Sequence, residues 1–265
     1  MSGARGAATA DTEPTAAASD RSLCRLSVVI PCWNDARALA AILATLKNLD
    51  SVHEVIVADA SCDNECRSLA NEAGVTVVVC DAPNRGAQMN AGAQLATGEV
   101  LLFQHADTEL TQAHMNALLA AMCGAHTVGG AFHRKFDARH SALRWLEPMN
   151  RLLTRCGGTL YGDQSIFVRR STFESLGGFA AIPLMEDVEF SRRLRRAGRI
   201  TIIPPPIASS ARHHLRRGAW RTSLRNAVMI ALFRLGMSPQ RLHAWYYRDA
   251  VCRSTAEKRT APIPT

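Results

Sequence analysis

The strongest constraint on the fold is an alternation of short apolar runs with helical segments between residues 26 and 105. The apolar runs have the length and the β-branched composition of buried parallel strands. The segments between them space their apolar side chains as amphipathic helices do. This alternation predicts an α/β protein with a mostly parallel, doubly wound sheet. The predicted strands are Leu26–Ile30, Glu54–Asp59, Val75–Cys80 and Val100–Phe103.

Turn and cap residues predict where the helices of this first half begin and end. Asn34 is the expected N-cap of a helix over Ala36–Leu46, because its short side chain can accept from the first free backbone N–H groups. A second helix should run to Ala73 and stop at Gly74. A third is expected over Ala87–Ala96.

An aspartate lies at or just beyond the end of two predicted strands. Asp59 closes the second strand, and Asp107 follows the fourth, two residues after His105. Ligands of open α/β sheets bind outside the carboxyl ends of the strands. A carboxylate there can hold a hard divalent cation, which in turn can neutralise a diphosphate. Aspartate is also a common turn or cap residue, so a single strand end does not separate the two interpretations.

The second half of the chain predicts a less regular arrangement. The expected elements are a helix His114–Met122, a strand Val128–Phe136, a helical segment Ala142–Arg155, a strand within Tyr161–Val168, a short helix Arg170–Leu176, a helix between residues 183 and 198, and a last strand Ile200–Ile203 ended by three prolines.

Composition predicts one folded domain between two tails. Residues 1–22 lack bulky apolar side chains, which predicts a disordered tail, and residues 251–265 are predicted to be flexible. Between them we expect a single domain over residues 23–250, with a nucleotide-binding half 26–110, an acceptor half 111–226 and a C-terminal helical segment 227–250. The apolar stretch Ala227–Phe233 is too short for a membrane-spanning helix.

Cysteine spacing and charge indicate the compartment and the partners. The eight cysteines contain no Cys-x-x-Cys pair, which argues against a zinc site or a disulfide framework and predicts a cytoplasmic protein. The net charge of +8 is concentrated between Arg192 and Arg225, and this favours an anionic partner. A nucleotide diphosphate, the inner membrane surface or nucleic acid would fit. The apolar segment Ala227–Phe233 follows this basic block. Together they fit either a packed C-terminal helix or an amphipathic segment on an anionic membrane.

Six motifs occur in a fixed order over about residues 26–226. They are Val28–Asp35, Val57–Asp63, Asn84–Gly92, Gly98–Asp107, Gly177–Phe179 and the pair Glu186-Asp187. Each motif alone is unspecific, but in this order the series resembles the inverting family 2 glycosyltransferases of the GT-A fold. The finer resemblance, from the short length and the sequence around His105, is to a small bacterial subgroup linked with arsenosugar biosynthesis and radical-SAM/selenodomain neighbours.

The resemblance implies a nucleotide-sugar donor, with a UDP-sugar expected. Asp59 is expected to accept from the uracil N3–H or a ribose hydroxyl, and Trp33 to stack on the base, although an aromatic beside a sheet edge is as often core. Arg212 would compensate charge on the leaving diphosphate. The implied nucleotide-sugar contacts are Pro31, Trp33, Asn34, Asp59, Arg85, Gln88, His105, Asp107, Asp163 and Arg212.

The resemblance also implies a metal site and a catalytic base. Asp107 is the expected ligand for Mn²⁺ or Mg²⁺, with His105 as a second contact where the family usually has an aspartate. A satisfied, half-buried histidine is the alternative for His105. Asp187 is the expected general base and Glu186 a contact to the acceptor, although acids are favoured at any helix start. His213 and His214 could supply a further metal ligand, but solvated histidines in a basic loop are the favoured interpretation.

Three functions are therefore open. The first is metal-assisted, inverting transfer of a hexosyl group to a small-molecule or lipid-linked acceptor. This function allows peripheral contact with an anionic membrane and requires no specific nucleic acid. The second is a nucleotidylyltransferase on a related fold, although Pro31–Asn34 lacks the glycine-rich, basic character of such an opening loop. The third is a non-catalytic binder of membrane or nucleic acid, driven by the basic block.

Overall fold

The protein is an α/β sandwich built on one seven-stranded sheet of order β3-β2-β1-β4-β6-β5-β7. A computed structural model describes residues 24–106, 108–124, 126–136, 158–209 and 219–247. The strands are β1 (Leu26–Cys32), β2 (Glu54–Asp59), β3 (Thr76–Val79), β4 (Val100–Phe103), β5 (Thr127–Phe136), β6 (Ile166–Arg169) and β7 (Arg199–Ser209).

Helices connect the strands and cover both faces of the sheet. They are α1 (Ala36–Leu46), α2 (Glu65–Glu72), α3 (Arg85–Leu95), α4 (Gln112–Met122), α5 (Arg170–Ser175), α6 (Glu186–Ala197), α7 (Ala219–Arg234) and α8 (residues 239–247), and Gly162–Gln164 forms a 3-10 turn. None of the helices in the described ranges is long and apolar enough to cross a membrane.

Strand direction confirms the predicted fold class. β1 pairs in parallel with β2 and β4, and β2 pairs in parallel with β3. Only β6 runs against its neighbours β4 and β5, while β5 and β7 are parallel. The carboxyl ends of β1, β2 and β4 therefore meet at one edge. The predicted site residues Trp33, Asp59 and His105 lie at or just after these ends.

Alternate side chains of the strands supply two cores, one on each face of the sheet. Val28 and Ile30 of β1 pack with Leu39 of α1 and Met115 of α4 on one face. Val29 of the same strand belongs to the other core, which contains a cluster of four phenylalanines. Burial on both faces explains why these strands are continuous apolar runs in the sequence. The clustered rings are those of Phe103, Phe173, Phe179 and Phe190.

Several predicted boundaries are wrong, each for a local reason. The last strand does not end at the prolines: β7 continues through them to Ser209, because strand β5 pairs with it on one side and the prolines lie at the edge of the sheet. α3 begins at Arg85 rather than Ala87, since the Asn84 side chain caps it by accepting from Ala87 N at 2.9 Å.

The segment Tyr161–Val168 divides into a turn and a strand. Gly162–Gln164 forms the 3-10 turn, and only Ile166–Arg169 pairs in the sheet as β6. Ser165 between them has a φ of 50°, which breaks the extended conformation. The helix predicted over Ala142–Arg155 lies outside the described residues, and the proposed division of the domain stays a prediction.

Candidate active site

A cavity of about 560 Å³ lies at the edge where the carboxyl ends of β1, β2 and β4 meet. It contains many of the predicted nucleotide-sugar contacts, and we refer to it as the donor pocket. Its walls come from the loops after β1 and β4, the start of α3, the segment before α6, and α8. The lining residues are Pro31, Cys32, Trp33, Asp35, Pro83, Arg85, Gln88, His105, Ala106, Pro183, Leu184, Glu186, His243 and Tyr247.

Trp33 stands at the mouth of the donor pocket with 55% of its surface exposed. A core tryptophan would be covered, so the exposure removes the alternative that Trp33 is a core residue. An exposed indole at a pocket wall is a surface on which a planar base can stack.

Asn34 does not cap α1 as the sequence predicted; Asp35 does, accepting from Ala38 N at 3.2 Å. Asn34 instead joins the loops after β1 and β2. Its backbone N–H donates to Ser61 Oγ at 2.8 Å, and its Oδ1 accepts from Cys62 N at 3.1 Å. The backbone of Asn34 is left-handed, with φ of 49°, a conformation that asparagine tolerates better than most residues. Its role in the site is to hold the loop that carries Trp33.

Asp59 is fully buried at the end of β2, and partners from the chain itself occupy both carboxylate oxygens. Oδ1 accepts from the backbone N–H and the hydroxyl of Ser61, at 3.0 and 2.5 Å. Oδ2 forms an ion pair with Arg67 at 2.9 Å. Asp59 is not among the residues that line the donor pocket. Its predicted contact with the base or the ribose stays a prediction, and the observed contacts fix the loop after β2.

Gln88 lines the donor pocket, and its amide group ties two strand ends together. Nε2 donates to Cys32 O at 2.7 Å and to Ala58 O at 2.9 Å, in a buried position. The carbonyls at the ends of β1 and β2 thereby obtain a donor from α3. This arrangement assigns Gln88 a structural part in the site that the sequence did not reveal.

One group of metal-type side chains occurs in the described ranges, and it differs from the predicted ligand set. Cys32, Asp59 and Cys66 bring their ligand atoms within 4.8 Å of one another. Burial and the neighbouring Cys66 raise the pKa of Cys32 to about 12, which keeps this thiol protonated. The Asp59 carboxylate is already paired with Arg67. Since Mn²⁺ and Mg²⁺ favour oxygen ligands over neutral thiols, this group does not fit them.

His105 and Asp187 both lie next to Gly162. A Cβ at position 162 would lie 2.7 Å from His105 Nε2 and 3.8 Å from Asp187 Oδ2, so only glycine fits. Nε2 of His105 is buried and has no hydrogen-bond partner among the described residues. Burial, with help from the positive charge of Arg85, lowers the pKa of His105 to about 3. His105 is therefore neutral at physiological pH, and the alternative of a satisfied histidine does not hold at this nitrogen.

Asp187 begins α6 together with Glu186 and borders a small enclosed gap that it shares with Arg85 and His105. Oδ2 accepts from Gly162 N at 2.9 Å, and Oδ1 accepts from Val188 N at 2.7 Å. Burial, and next the negative charge of Glu186, raise the pKa of Asp187 to about 6 against the lowering effect of these hydrogen bonds. A carboxylate with this pKa is a stronger base than an ordinary aspartate and is still ionised at neutral pH.

Glu186 closes the inner end of the donor pocket and pairs with Arg85 at 3.4 Å. Glu186 is buried, whereas about half of the Arg85 side chain is exposed toward the pocket. Arg85 is thus a cation at the pocket wall, held by one carboxylate and open to an incoming anion. This contact joins α3 to α6 across the site.

Asp163 does not line the donor pocket. Its Oδ2 accepts from Arg134 Nη1 at 2.8 Å, and the Arg134 guanidinium lies over the Tyr161 ring. Asp107, Arg212, His213 and His214 lie outside the described residues, so their predicted roles stay predictions.

Sequence reasoning missed part of the pocket wall. His243 and Tyr247 of α8 line the donor pocket, with their ring centroids 4.6 Å apart. The spacing of four residues puts both rings on one face of a helix, and this pattern in the sequence could have indicated that they act together. Arg67, the partner of Asp59, was also missed; it lies eight positions further along the chain.

Several solved structures have a similar fold. A mannosyltransferase from Pyrobaculum calidifontis in complex with GDP-Man and Mn²⁺ has a TM-score of 0.62 and 19% identity, over 91% of this chain and 76% of that one. S. aureus TarS 1-349 in complex with UDP-GlcNAc has a TM-score of 0.59 and 18% identity, over 71% and 59%. Glucosyl-3-phosphoglycerate synthase from Mycobacterium tuberculosis, with Mn²⁺, UDP-Glc and phosphoglyceric acid, has a TM-score of 0.55 and 20% identity, over 80% of each chain.

Sequence comparison gives the family directly. A PGL/p-HBAD biosynthesis glycosyltransferase of Mycobacterium tuberculosis is 29% identical over 162 residues, which is 58% of this chain. The chain spans 62% of the length of that relative, less than two thirds. The sequence model described as "Glycosyl transferase family 2" matches residues 27–174, more than half of the chain and the part that contains β1 to β6. The protein thus belongs to glycosyl transferase family 2.

Proposed function

We propose that the protein transfers a hexosyl group from a nucleotide-diphosphate sugar to an acceptor hydroxyl with inversion, assisted by a divalent cation. The observation that carries the proposal is the Asp187 carboxylate. It lies beside the donor pocket, is fixed by two backbone N–H groups, and has a pKa raised to about 6. Carboxyl groups whose pKa is raised by burial and by a neighbouring like charge are typical of active sites.

The donor pocket supplies groups for each part of a nucleotide-sugar. Trp33 offers an exposed ring for the base, and the Pro31–Asn34 loop is held in place by Ser61. Arg85 offers a cation for the diphosphate. The expected donor is a UDP-sugar. The related structures support this class, because their own complexes contain UDP-GlcNAc, UDP-Glc and GDP-Man.

Proton transfer to Asp187 would accompany the attack of the acceptor. The acceptor oxygen forms a bond to the anomeric carbon while its proton moves to a carboxylate oxygen of Asp187. The bond from the anomeric carbon to the diphosphate oxygen breaks, and the nucleoside diphosphate leaves with that electron pair. Attack from the face opposite the leaving group inverts the anomeric configuration. Glu186 holds Arg85 at 3.4 Å and so orients the cation that faces the diphosphate.

A divalent cation would be held by Asp107 and His105. The orphaned, buried Nε2 of His105 and its lowered pKa fit a neutral imidazole ligand. When bound, Mn²⁺ or Mg²⁺ would supply positive charge to the leaving diphosphate. Two of the related structures contain Mn²⁺. One carboxylate and one neutral imidazole bring less negative charge than two carboxylates, so we expect weaker metal binding than at a site with two aspartates.

The acceptor and the cellular location follow from the resemblance and the charge. The acceptor is a small molecule or a lipid-linked molecule, and the subgroup resemblance predicts a place in arsenosugar biosynthesis. Cytoplasmic location and peripheral contact with the inner membrane stay predictions. α7 packs Met229 inside but leaves Leu224 67% exposed, so one side of the helix is available for such a contact.

The direct test is donor binding across a panel of nucleotide-sugars, with Mn²⁺ present and then removed by a chelator. The proposal expects one donor to bind best, and expects binding and transfer to weaken without metal. His105→Asp should tighten Mn²⁺ binding by adding a negative charge to the ligand set. Full transfer in excess chelator would contradict the role of the metal.

A further inference from the structure

A second cavity, of about 640 Å³, shares no lining residue with the donor pocket. We call it the arginine pocket, because Arg192, Arg195, Arg196 and Arg234 line it. The first three lie on α6, and Arg234 ends α7. Its remaining walls include two apolar side chains, those of Val188 and Phe233.

Among the described residues, no carboxylate lines the arginine pocket. Within the described ranges, Arg192, Arg196 and Arg234 form no ion pair. The nearest acid on the same helix is Glu189, and it is held by Arg193 through hydrogen bonds of 2.8 and 2.9 Å from Nε. Positive charge in the pocket is therefore not balanced by this helix.

Two of the guanidinium groups have fixed positions. Arg195 Nε donates to Gly158 O at 2.8 Å, and Arg234 Nη2 donates to Thr159 Oγ1 at 3.2 Å. Burial lowers the pKa of Arg195, which shows that this cation is partly removed from water. Arg192 and Arg196, also on α6, line the arginine pocket and are exposed.

We propose that the arginine pocket binds a phosphorylated organic ligand at a site separate from the donor pocket. Guanidinium groups match the geometry of phosphate oxygens, and four of them suit a ligand with more than one negative charge. A cavity of about 640 Å³ is the size of a site for a small organic molecule. Val188 and Phe233 provide a surface for the carbon skeleton, which an inorganic anion would not need.

The test uses the full chain and two probes, inorganic pyrophosphate for a soluble ligand and phosphatidylglycerol vesicles for a lipid headgroup. Binding is measured by calorimetry and by co-sedimentation. The variant is Arg192→Gln with Arg196→Gln; both side chains are exposed, so the fold should be kept. The matched control is Arg199→Gln with Lys47→Gln, which removes the same charge from exposed positions outside both cavities.

The pocket variant should weaken binding of at least one probe about tenfold or more, while the control pair stays within about twofold of the wild type. Loss with pyrophosphate identifies a soluble phosphorylated ligand, and loss with vesicles alone identifies a lipid phosphate. Equal weakening in the variant and the control would show diffuse charge and overturn the proposal. Pyrophosphate binding that Arg85→Gln abolishes and the pocket variant retains, with vesicle binding unchanged, would overturn it as well.

Discussion

The backbone N–H of Gly162 donates to Asp187 Oδ2 at 2.9 Å, while the same glycine packs against His105 Nε2. Gly162→Ala should therefore disturb both side chains, because its Cβ would lie 2.7 Å from that nitrogen. A displacement of about 1 Å in a catalytic group can cost about 100-fold in rate, and we expect a loss of this order in transfer.

The control for Gly162→Ala is Gly124→Ala, where the nearest described side-chain atom to the added methyl group would be Thr127 Oγ1 at 4.0 Å. Rates and thermal unfolding of both variants should be measured. Gly124→Ala should match the wild type in rate. If Gly162→Ala transfers sugar as fast as the wild type, the packing around Gly162 does not position the catalytic groups.

The rate of transfer should rise with pH through about 6, the pKa of Asp187, since only the ionised carboxylate accepts a proton. Glu186→Gln removes a negative charge that raises this pKa. The midpoint of the pH-rate profile should then move to lower pH. Glu174→Gln, at an exposed position away from the site, should leave the midpoint unchanged. An unchanged midpoint in Glu186→Gln would show that another group controls the profile.

Acid should destabilise the protein through His105. Its pKa falls from 6.5 to about 3 on folding, so its contribution to stability is present above pH 6.5 and is lost as the pH falls toward 3. The loss is up to about 1.4 kcal/mol for each pH unit in this window. Asp187 acts in the opposite direction, because its raised pKa favours folding below about 3.8 and this contribution is lost as the pH rises to about 6.

A comparison of the wild type with His105→Asn separates the two groups, because Asp187 titrates in both proteins. Denaturant unfolding at pH 7 and pH 5 gives the four free energies needed. The variant should lose up to about 2 kcal/mol less than the wild type between these pH values. Equal losses would mean that folding does not lower the pKa of His105.

Gln88→Ala should lower the free energy of unfolding by about 1–3 kcal/mol, because Ala58 O and Cys32 O lose a buried amide donor. Cys32 O keeps its hydrogen bond from Ala60 N at 3.0 Å. Gln94→Ala is the matched control, since Gln94 lies exposed on the same helix. Chemical denaturation of both variants tests this. If the two variants are equally stable, the bonds from α3 to the strand ends contribute little.

The parallel half of the fold could be predicted because its strands are buried on both faces. Continuous apolar runs marked β1, β2 and β4, and the polar residues after them marked the edge with the donor pocket. The pairing of strands that are distant in the sequence could not be predicted. β7 continues through three prolines because it pairs with β5 on both sides of them. A proline run alone reads as the end of a strand.

Of the candidate site, the residue types were more predictable than their contacts. The positions of Trp33, Arg85 and Glu186 in one pocket follow from strand ends and helix starts. The pairing of Asp59 with Arg67 and the contribution of His243 depend on how distant segments pack, which spacing along the chain does not contain. The burial of His105 Nε2 without a hydrogen-bond partner likewise depends on the packing of the distant Gly162 against it.

The most direct test of the central claim is transfer by Asp187→Asn, compared with donor binding by the same variant. Asparagine keeps the shape of the side chain and removes the proton acceptor. Transfer should fall about 10²- to 10⁴-fold, the usual contribution of a general base, while the dissociation constant of the nucleotide-sugar changes little. A variant that keeps more than about a tenth of the wild-type rate would contradict the assignment of Asp187 as the base.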